Sequence, residues 1–182
     1  ATEYNIDILD GCELFLNHDY QKALDQNLFI PIENTQYVLV EFDVRKEIGN
    51  EQEVEERLYD VQFKGYTPII AHVERYFKNG LDIERVSGCI IQVNATSFLG
   101  YHGKQAKKIA FQLLDEGLIH VIATDTHRAT GSRKPCLNKI FYLLEKKYNY
   151  HAIHTLMSEN PLHILKNEWL EPVYARESFL KN

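Results

Sequence analysis

The chain has 182 residues, of which 45% are hydrophobic and 25% are charged. Its 20 Lys and Arg against 26 Asp and Glu give a formal net charge of −6, so general binding to a nucleic-acid backbone, which needs clustered basic residues, is not expected. The length suits one domain, residues 1–182, with a sizeable core. No apolar run approaches the about 20 residues that span a bilayer, so we expect no membrane insertion.

Strand patterns alternate with helix patterns along the sequence. Apolar and β-branched runs predict strands, and apolar residues three or four apart predict helices. Gly65 and Gly117 stand where helix C-terminal caps belong, and the tail from Trp169 shows no clear period. In chain order the predicted elements are strand Ile6–Leu16, helix Asp19–Gln26, strand Tyr37–Phe42, helix Glu51–Lys64, strand Thr67–His72, helix Asp82–Val86, strand Cys89–Asn94, helix Gly103–Glu116, strand Ile119–Thr124, and helices Pro135–Lys147, His151–Ser158 and Asn160–Lys166.

This alternation predicts an α/β fold with parallel strands covered by helices. An open doubly wound sheet and a βα barrel both fit it. Polar residues at or near the predicted strand ends favour the barrel, because its C-terminal strand ends meet on one face where catalytic residues collect. No GxGxxG or GxxxxGK[ST] loop follows a strand, which disfavours nucleotide binding. The polar residues are Glu13, Glu41, His72, Asn94 and Asp125.

The segment IHVIATDTH places Asp125 and His127 two residues apart at the mouth of an apolar strand. Carboxylate oxygen and imidazole nitrogen are ligands that suit Mn, Fe or Zn. The alternative is an Asp that starts a turn beside a His that caps the next helix. The segment by itself leaves both interpretations open.

Two further segments carry candidate ligands. In AHVERY, His72 ends a strand, and Arg75 follows closely enough to contact a phosphate through its guanidinium fork. Glu13 in GCEL and Glu41 in LVEF are carboxylates within apolar strands, where burial is costly without a cation or hydrogen bonds. A metal would compensate both carboxylates. Weaker burial of either strand, or a half-buried His72 bonded to the backbone, is the alternative.

Other catalytic chemistries find little support. No GxSxG elbow is present, and none of the three cysteines opens a CxxxxxR loop or belongs to a CxxC pair. An odd, scattered set of thiols indicates no disulfide framework and favours the cytoplasm. The remaining histidines are predicted to have surface or capping roles. The cysteines are Cys12, Cys89 and Cys136, and these histidines are His18, His102, His120, His151, His154 and His163.

In order and spacing, six segments resemble the bacterial protein-tyrosine phosphatases that have a polymerase-and-histidinol-phosphatase (PHP) domain and regulate capsule and exopolysaccharide synthesis. The resemblance runs from about Ile6 to Lys166. It implies a distorted seven-stranded βα barrel with up to three divalent metals, expected to be manganese, with iron or zinc as alternatives. The segments are GCE, LVEF, GYTPIIAHVERY, IIQVNATSFLG, VIATDTH and ENPLHIL.

The resemblance also implies roles for the candidate ligands. Glu13 would bridge metals, and Glu41 and His72 would complete the coordination of one metal. Asp125 would bind another metal, and His127 a third.

Arg75 and Arg133 resemble the catalytic arginines that face the phosphate. The loop RATGSRKP is about one residue longer than the usual pattern, so Arg128 competes with Arg133 for the second role. The implied reaction is hydrolysis of phosphotyrosine by a metal-activated water. Its implied substrate is the phosphotyrosine tail of a bacterial tyrosine kinase. Family members often form homo-oligomers, so a homo-oligomer is possible for this chain as well.

The resemblance breaks at the N-terminal side. Family members open with an HxH strand, a DDG segment and another metal-binding His, none of which is present in this sequence. We therefore expect an N-terminally incomplete barrel that lacks about two βα units. The alternative functions are another PHP phosphoesterase, either a histidinol phosphatase or a nuclease, and an inactive barrel remnant with a regulatory or assembly role.

Overall fold

The computed structural model describes residues 7–76, 82–131, 133–170 and 173–176. Within these residues the strands form one sheet in the order β1-β2-β3-β4-β5, and every neighbouring pair is parallel. This confirms the predicted α/β class. The order also has no reversal, whereas a doubly wound sheet has one at its switch point. The strands are β1 (Glu13–Phe15), β2 (Tyr37–Glu41), β3 (Thr67–Ile70), β4 (Ile90–Asn94) and β5 (Val121–Ala123).

The helices follow the strands as the periodicity predicted. Asn50 and Glu53 form a capping box at the start of α2, each side chain bonding the other's backbone N–H at 3.0 Å. Gly117, at φ 71°, ends α4 in the left-handed conformation predicted for its cap. The helices are α1 (Tyr20–Asp25), α2 (Glu51–Phe63), α3 (Ala95–Phe98), α4 (Lys104–Glu116), α5 (Leu137–Leu144), α6 (Tyr150–His154) and α7 (Asn160–Leu165); 3₁₀ turns cover Ile32–Asn34, Val73–Arg75 and Ile83–Arg85.

Several predicted boundaries were wrong. The strand predicted from Ile6 is only the three residues of β1, because the preceding apolar side chains lie in solvent: Ile8 is 81% exposed. Ile6 lies outside the described residues. The predicted helix Asp82–Val86 is a single 3₁₀ turn, and α5 begins two residues after Pro135. The predicted break between the last two helices is bridged by a π-helical turn, Thr155–Glu159, so the helical run is continuous from α6 into α7.

Alternation of side chains gives the sheet two different faces. One face packs against α2 and α4 in the main core, with Val40 and Val93 beside Leu58 and Leu113. The other face packs against α7 and is bordered by a groove of about 460 Å³. The residues of this second face are Tyr37, Ile69, Ile90 and Val121, packed with Ile164 and Leu170. Glu41, Gln92 and Asn94 alternate in phase with them, so the polar candidates and the groove share one face.

Candidate metal centre

Three of the predicted ligands meet beside the first three strands. Glu13, Glu41 and His72 each offer one ligand atom, and these atoms lie within 4.8 Å of one another. Glu13 opens β1, Glu41 ends β2, and His72 follows β3. His72 is 2% exposed, and its Nε2 lies 3.1 Å from Glu41 Oε2. The parallel register therefore gathers two carboxylates and an imidazole from residues far apart in the sequence.

The electrostatics of this group favour a cation. Burial raises the pKa of Glu13, and the neighbouring Glu41 carboxylate raises it further, while His72 partly offsets both effects. The Nδ1 atom of His72 is buried with no hydrogen-bond partner among the described residues. Two carboxylate oxygens and an imidazole nitrogen form a donor set that suits Mn, Fe or Zn. The residues present therefore fit a divalent metal.

Asp125 and His127 lie at the adjacent edge of the site but outside the three-residue group. Arg133 Nη2 lies 2.6 Å from both carboxylate oxygens of Asp125, and Asn94 Nδ2 donates to Oδ2 at 2.9 Å. Burial by itself would raise the pKa of Asp125, but the hydrogen bonds from Arg133 and Asn94 lower it below its ordinary value. His127 is 49% exposed, and its Nδ1 donates to the Asp125 carbonyl at 3.0 Å.

The arginines predicted to face phosphate divide into two groups. Arg75 and Arg133 line a pocket of about 240 Å³ together with Glu13, Glu41, His72 and His127. Arg128 has an exposed side chain, and its backbone N–H bonds the Arg133 carbonyl at 3.3 Å. The geometry therefore favours Arg133 over Arg128 as the second arginine of the pocket, although Arg133 also pairs with Asp125.

Comparison with known proteins places the chain in a family. A family profile described as "Capsular polysaccharide synthesis, CpsB/CapC" matches residues 1–166. The chain belongs to this family. Tyrosine-protein phosphatase CpsB of Streptococcus agalactiae serotype III (strain NEM316) is 29% identical over 176 residues, which cover 91% of this chain and 71% of the relative. Tyrosine-protein phosphatase YwqE of Bacillus subtilis (strain 168) is 29% identical over 185 residues, covering 94% of this chain and 70% of that protein.

A solved structure of the CpsB/CapC family has the same fold. It comes from the crystal structures of YwqE from Bacillus subtilis and CpsB from Streptococcus pneumoniae, described as unique metal-dependent tyrosine phosphatases. The TM-score is 0.79 at 27% identity, and the match covers 96% of this chain and 71% of the other. In the described parts of this CpsB/CapC chain, no helix is long and apolar enough to cross a membrane.

Sequence reasoning missed two side chains around the CpsB/CapC site. Arg45 lines the same pocket and is held by Asp43, with contacts of 2.8 and 3.1 Å. His102 is half-buried rather than on the surface. Burial and the nearby Arg75 lower its pKa, and its Nε2 pairs with Thr96 Oγ1 at 2.8 Å. Both lie in loops, where no periodicity points to them.

His120 was wrongly assigned to the surface. It is 7% exposed, and its Nδ1 accepts a hydrogen bond from the Ile91 backbone N–H at 3.1 Å. Its position just before an apolar strand is the signal that could have revealed this, because residues there pack beside the neighbouring strand.

Proposed function

We propose that this chain is a metal-dependent protein-tyrosine phosphatase of the CpsB/CapC family. The observation that carries the proposal is the convergence of Glu13, Glu41 and His72 within 4.8 Å beside Arg75, in one pocket. Relatives that match most of the chain are named tyrosine-protein phosphatases. A divalent cation and a tetrahedral anion such as phosphate are the two partners that this pocket suits.

The proposed ligand set extends beyond the three clustered residues. Asp125 is kept ionised by Arg133 and Asn94, as a ligand must be, and His127 offers its imidazole at the rim. Glu13 would hold metal together with these residues, with manganese as the expected metal and up to three metals in the full centre. The non-reversing order of five parallel strands supports a distorted seven-stranded barrel within a single domain.

In the proposed reaction, the protein positions the phosphate and balances its charge. Divalent metals, when bound, supply the Lewis acidity that activates water at neutral pH. Arg75 binds the phosphate oxygens through its fork and stabilises the charge that develops on them. Arg133 keeps Asp125 anionic and also lines the pocket. No side-chain nucleophile is required, so the reaction needs no phosphoenzyme.

The proposed substrate is the phosphotyrosine tail of a bacterial tyrosine kinase that controls capsule or exopolysaccharide synthesis. Family membership in capsular polysaccharide synthesis supports this partner. The net charge of −6 argues against a nucleic acid as the substrate. Free cysteines at positions 12, 89 and 136 suit a reducing compartment, so we place the reaction in the cytoplasm. A homo-oligomer remains compatible with all of these features.

The decisive experiment compares substrates. Initial rates are measured with Mn²⁺ on a phosphotyrosine peptide, histidinol phosphate and single-stranded DNA. We expect robust hydrolysis of the peptide alone. Hydrolysis confined to the other two substrates would instead favour a different PHP phosphoesterase, and hydrolysis of none would favour a non-catalytic barrel.

A further inference from the structure

Strand β4 carries two buried amide side chains that connect opposite sides of the metal centre. The His72 backbone N–H donates to Gln92 Oε1 at 3.0 Å, and Gln92 Nε2 donates to Asn94 Oδ1 at 3.0 Å. Asn94 Nδ2 in turn donates to Asp125 Oδ2 at 2.9 Å. Gln92 is 4% exposed and Asn94 is 0% exposed. Bulk water therefore has little access to these bonds.

The direction of this amide chain is fixed at both ends. A backbone N–H can only donate, so the atom of Gln92 that faces His72 must be its oxygen. The Gln92 amide nitrogen then faces the Asn94 oxygen, which leaves the Asn94 nitrogen for Asp125. An ionised carboxylate can only accept, so this end is consistent with the other. Flipping either amide would break a bond at each of its ends.

Both ends of the chain hold residues in an unfavourable backbone conformation. His72 has φ 41° and Asp125 has φ 50°, the left-handed region that non-glycine residues rarely adopt. Such conformations persist where the surroundings over-determine them, and they gather at functional sites. The turn after His72 is held a second time, because Glu74 Oε1 accepts from the Asn94 backbone N–H at 3.2 Å and from Ser97 Oγ. Strand β4 thus restrains both turns.

We propose that Gln92 and Asn94 are positioning residues which fix His72 and Asp125 relative to each other, so that the two sides of the metal centre form as one unit. The inference rests on the proposed metal-dependent function. It assigns a role to two side chains whose polar atoms bond other protein groups. Partners that orient metal ligands in this way are worth about 10- to 100-fold in metal affinity.

An ordinary buried polar pair would behave differently. If each amide only filled space or satisfied its own neighbour, the effects of removing them would be independent and would multiply. In a hydrogen-bonded amide chain, breaking either bond frees His72 and Asp125 from the same relative position, so the second substitution adds little. Asn160 offers a matched control: it is 5% exposed, and its Nδ2 donates to the His120 carbonyl at 2.7 Å, outside the metal centre.

The first test is Mn²⁺ affinity, measured by calorimetric titration with elemental analysis of stoichiometry. The variants are Gln92→Leu, Asn94→Leu, the double variant and Asn160→Leu. We expect the single variants to bind Mn²⁺ about 10- to 100-fold more weakly, the double variant to match the weaker single, and Asn160→Leu to match the wild type. Wild-type affinity in both singles, or a double loss equal to the product of the single losses, would overturn the inference.

The second test needs no metal. In EDTA, hydrogen exchange of the His72 amide should accelerate about two- to tenfold in Asn94→Leu, which removes a bond one step away. The Asn160→Leu variant should leave that rate unchanged. An unchanged His72 rate in Asn94→Leu overturns the inference even in a folded, metal-binding protein. If the wild type binds no Mn²⁺ while Asn94→Leu still accelerates exchange of the His72 amide, the proposed function is refuted and the amide chain stands.

Discussion

Replacing Glu13 by glutamine is expected to stabilise the metal-free protein. Burial and the Glu41 carboxylate raise the pKa of Glu13, so the folded state resists ionisation more than the unfolded chain does. The folded protein therefore loses stability as the pH rises through the pKa of the unfolded group towards the raised value. At neutral pH the wild type carries this cost, and the Glu13→Gln variant does not.

The magnitude follows from the geometry. The ligand oxygens of Glu13 and Glu41 lie within 4.8 Å, where two unit charges repel by about 1 kcal/mol in bulk water and about 3 kcal/mol at an effective dielectric of about 20. The carboxyl group of Glu13 is only partly buried and its side chain keeps contact with solvent, so water screens the pair and the smaller figure applies. For a chain of this size, about 1 kcal/mol corresponds to a rise of about 2–4 °C in Tm.

Metal should reverse the ranking of the two proteins. Glutamine is a poorer ligand, and an about tenfold loss of affinity removes about 1.4 kcal/mol of metal-linked stabilisation at saturating Mn²⁺. Thermal melts at neutral pH, in EDTA and in Mn²⁺, measure both effects. Glu47→Gln makes the same charge change at an exposed loop position and should melt like the wild type in both. A Glu13→Gln variant that melts no higher than the wild type in EDTA, or gains as much from Mn²⁺, would refute the reasoning.

Three further predictions concern other groups. Arg75→Lys should lower kcat/KM on a phosphotyrosine peptide about 10- to 100-fold, because lysine lacks the planar fork; an unchanged value would remove Arg75 from the phosphate site. Burial raises the pKa of Glu74 from 4.5 to about 7, so in EDTA the unfolding free energy should fall by about 3 kcal/mol as the pH rises between these values. Glu74→Gln should flatten this fall, which urea titrations across the pH range measure. An identical pH profile in Glu74→Gln would contradict the prediction. Burial also raises the pKa of Cys89 to about 12, so a thiol reagent at pH 8 should label Cys12 well before Cys89, and equal labelling rates would contradict its buried position.

Sequence reasoning succeeded where periodicity and chemistry act locally. The apolar run before Glu41 predicts β2 almost to the residue, since a fully buried parallel strand needs apolar side chains on both faces. The two in-strand glutamates were suspicious because burial of an unpaired carboxylate is costly, although the structure leaves the Glu13 side chain exposed. The structure brings Glu13 and Glu41 together with His72, as expected of ligands.

Long-range pairing could not be predicted in the same way. Nothing local in RATGSRKP indicates that Arg133 reaches the carboxylate of Asp125, because that contact depends on how a loop folds back over β5. The amide chain through Gln92 and Asn94 was also invisible, although both residues alternate in IIQVN. Their outer partners, His72 and Asp125, follow the neighbouring strands β3 and β5, and register is set by the sheet rather than by the strand itself.

The central claim is tested most directly by hydrolysis of a phosphotyrosine peptide before and after removal of metal. We expect EDTA treatment and desalting to abolish the reaction, and added Mn²⁺ to restore it in the wild type but not in His72→Ala. Full activity in metal-free protein would contradict the account.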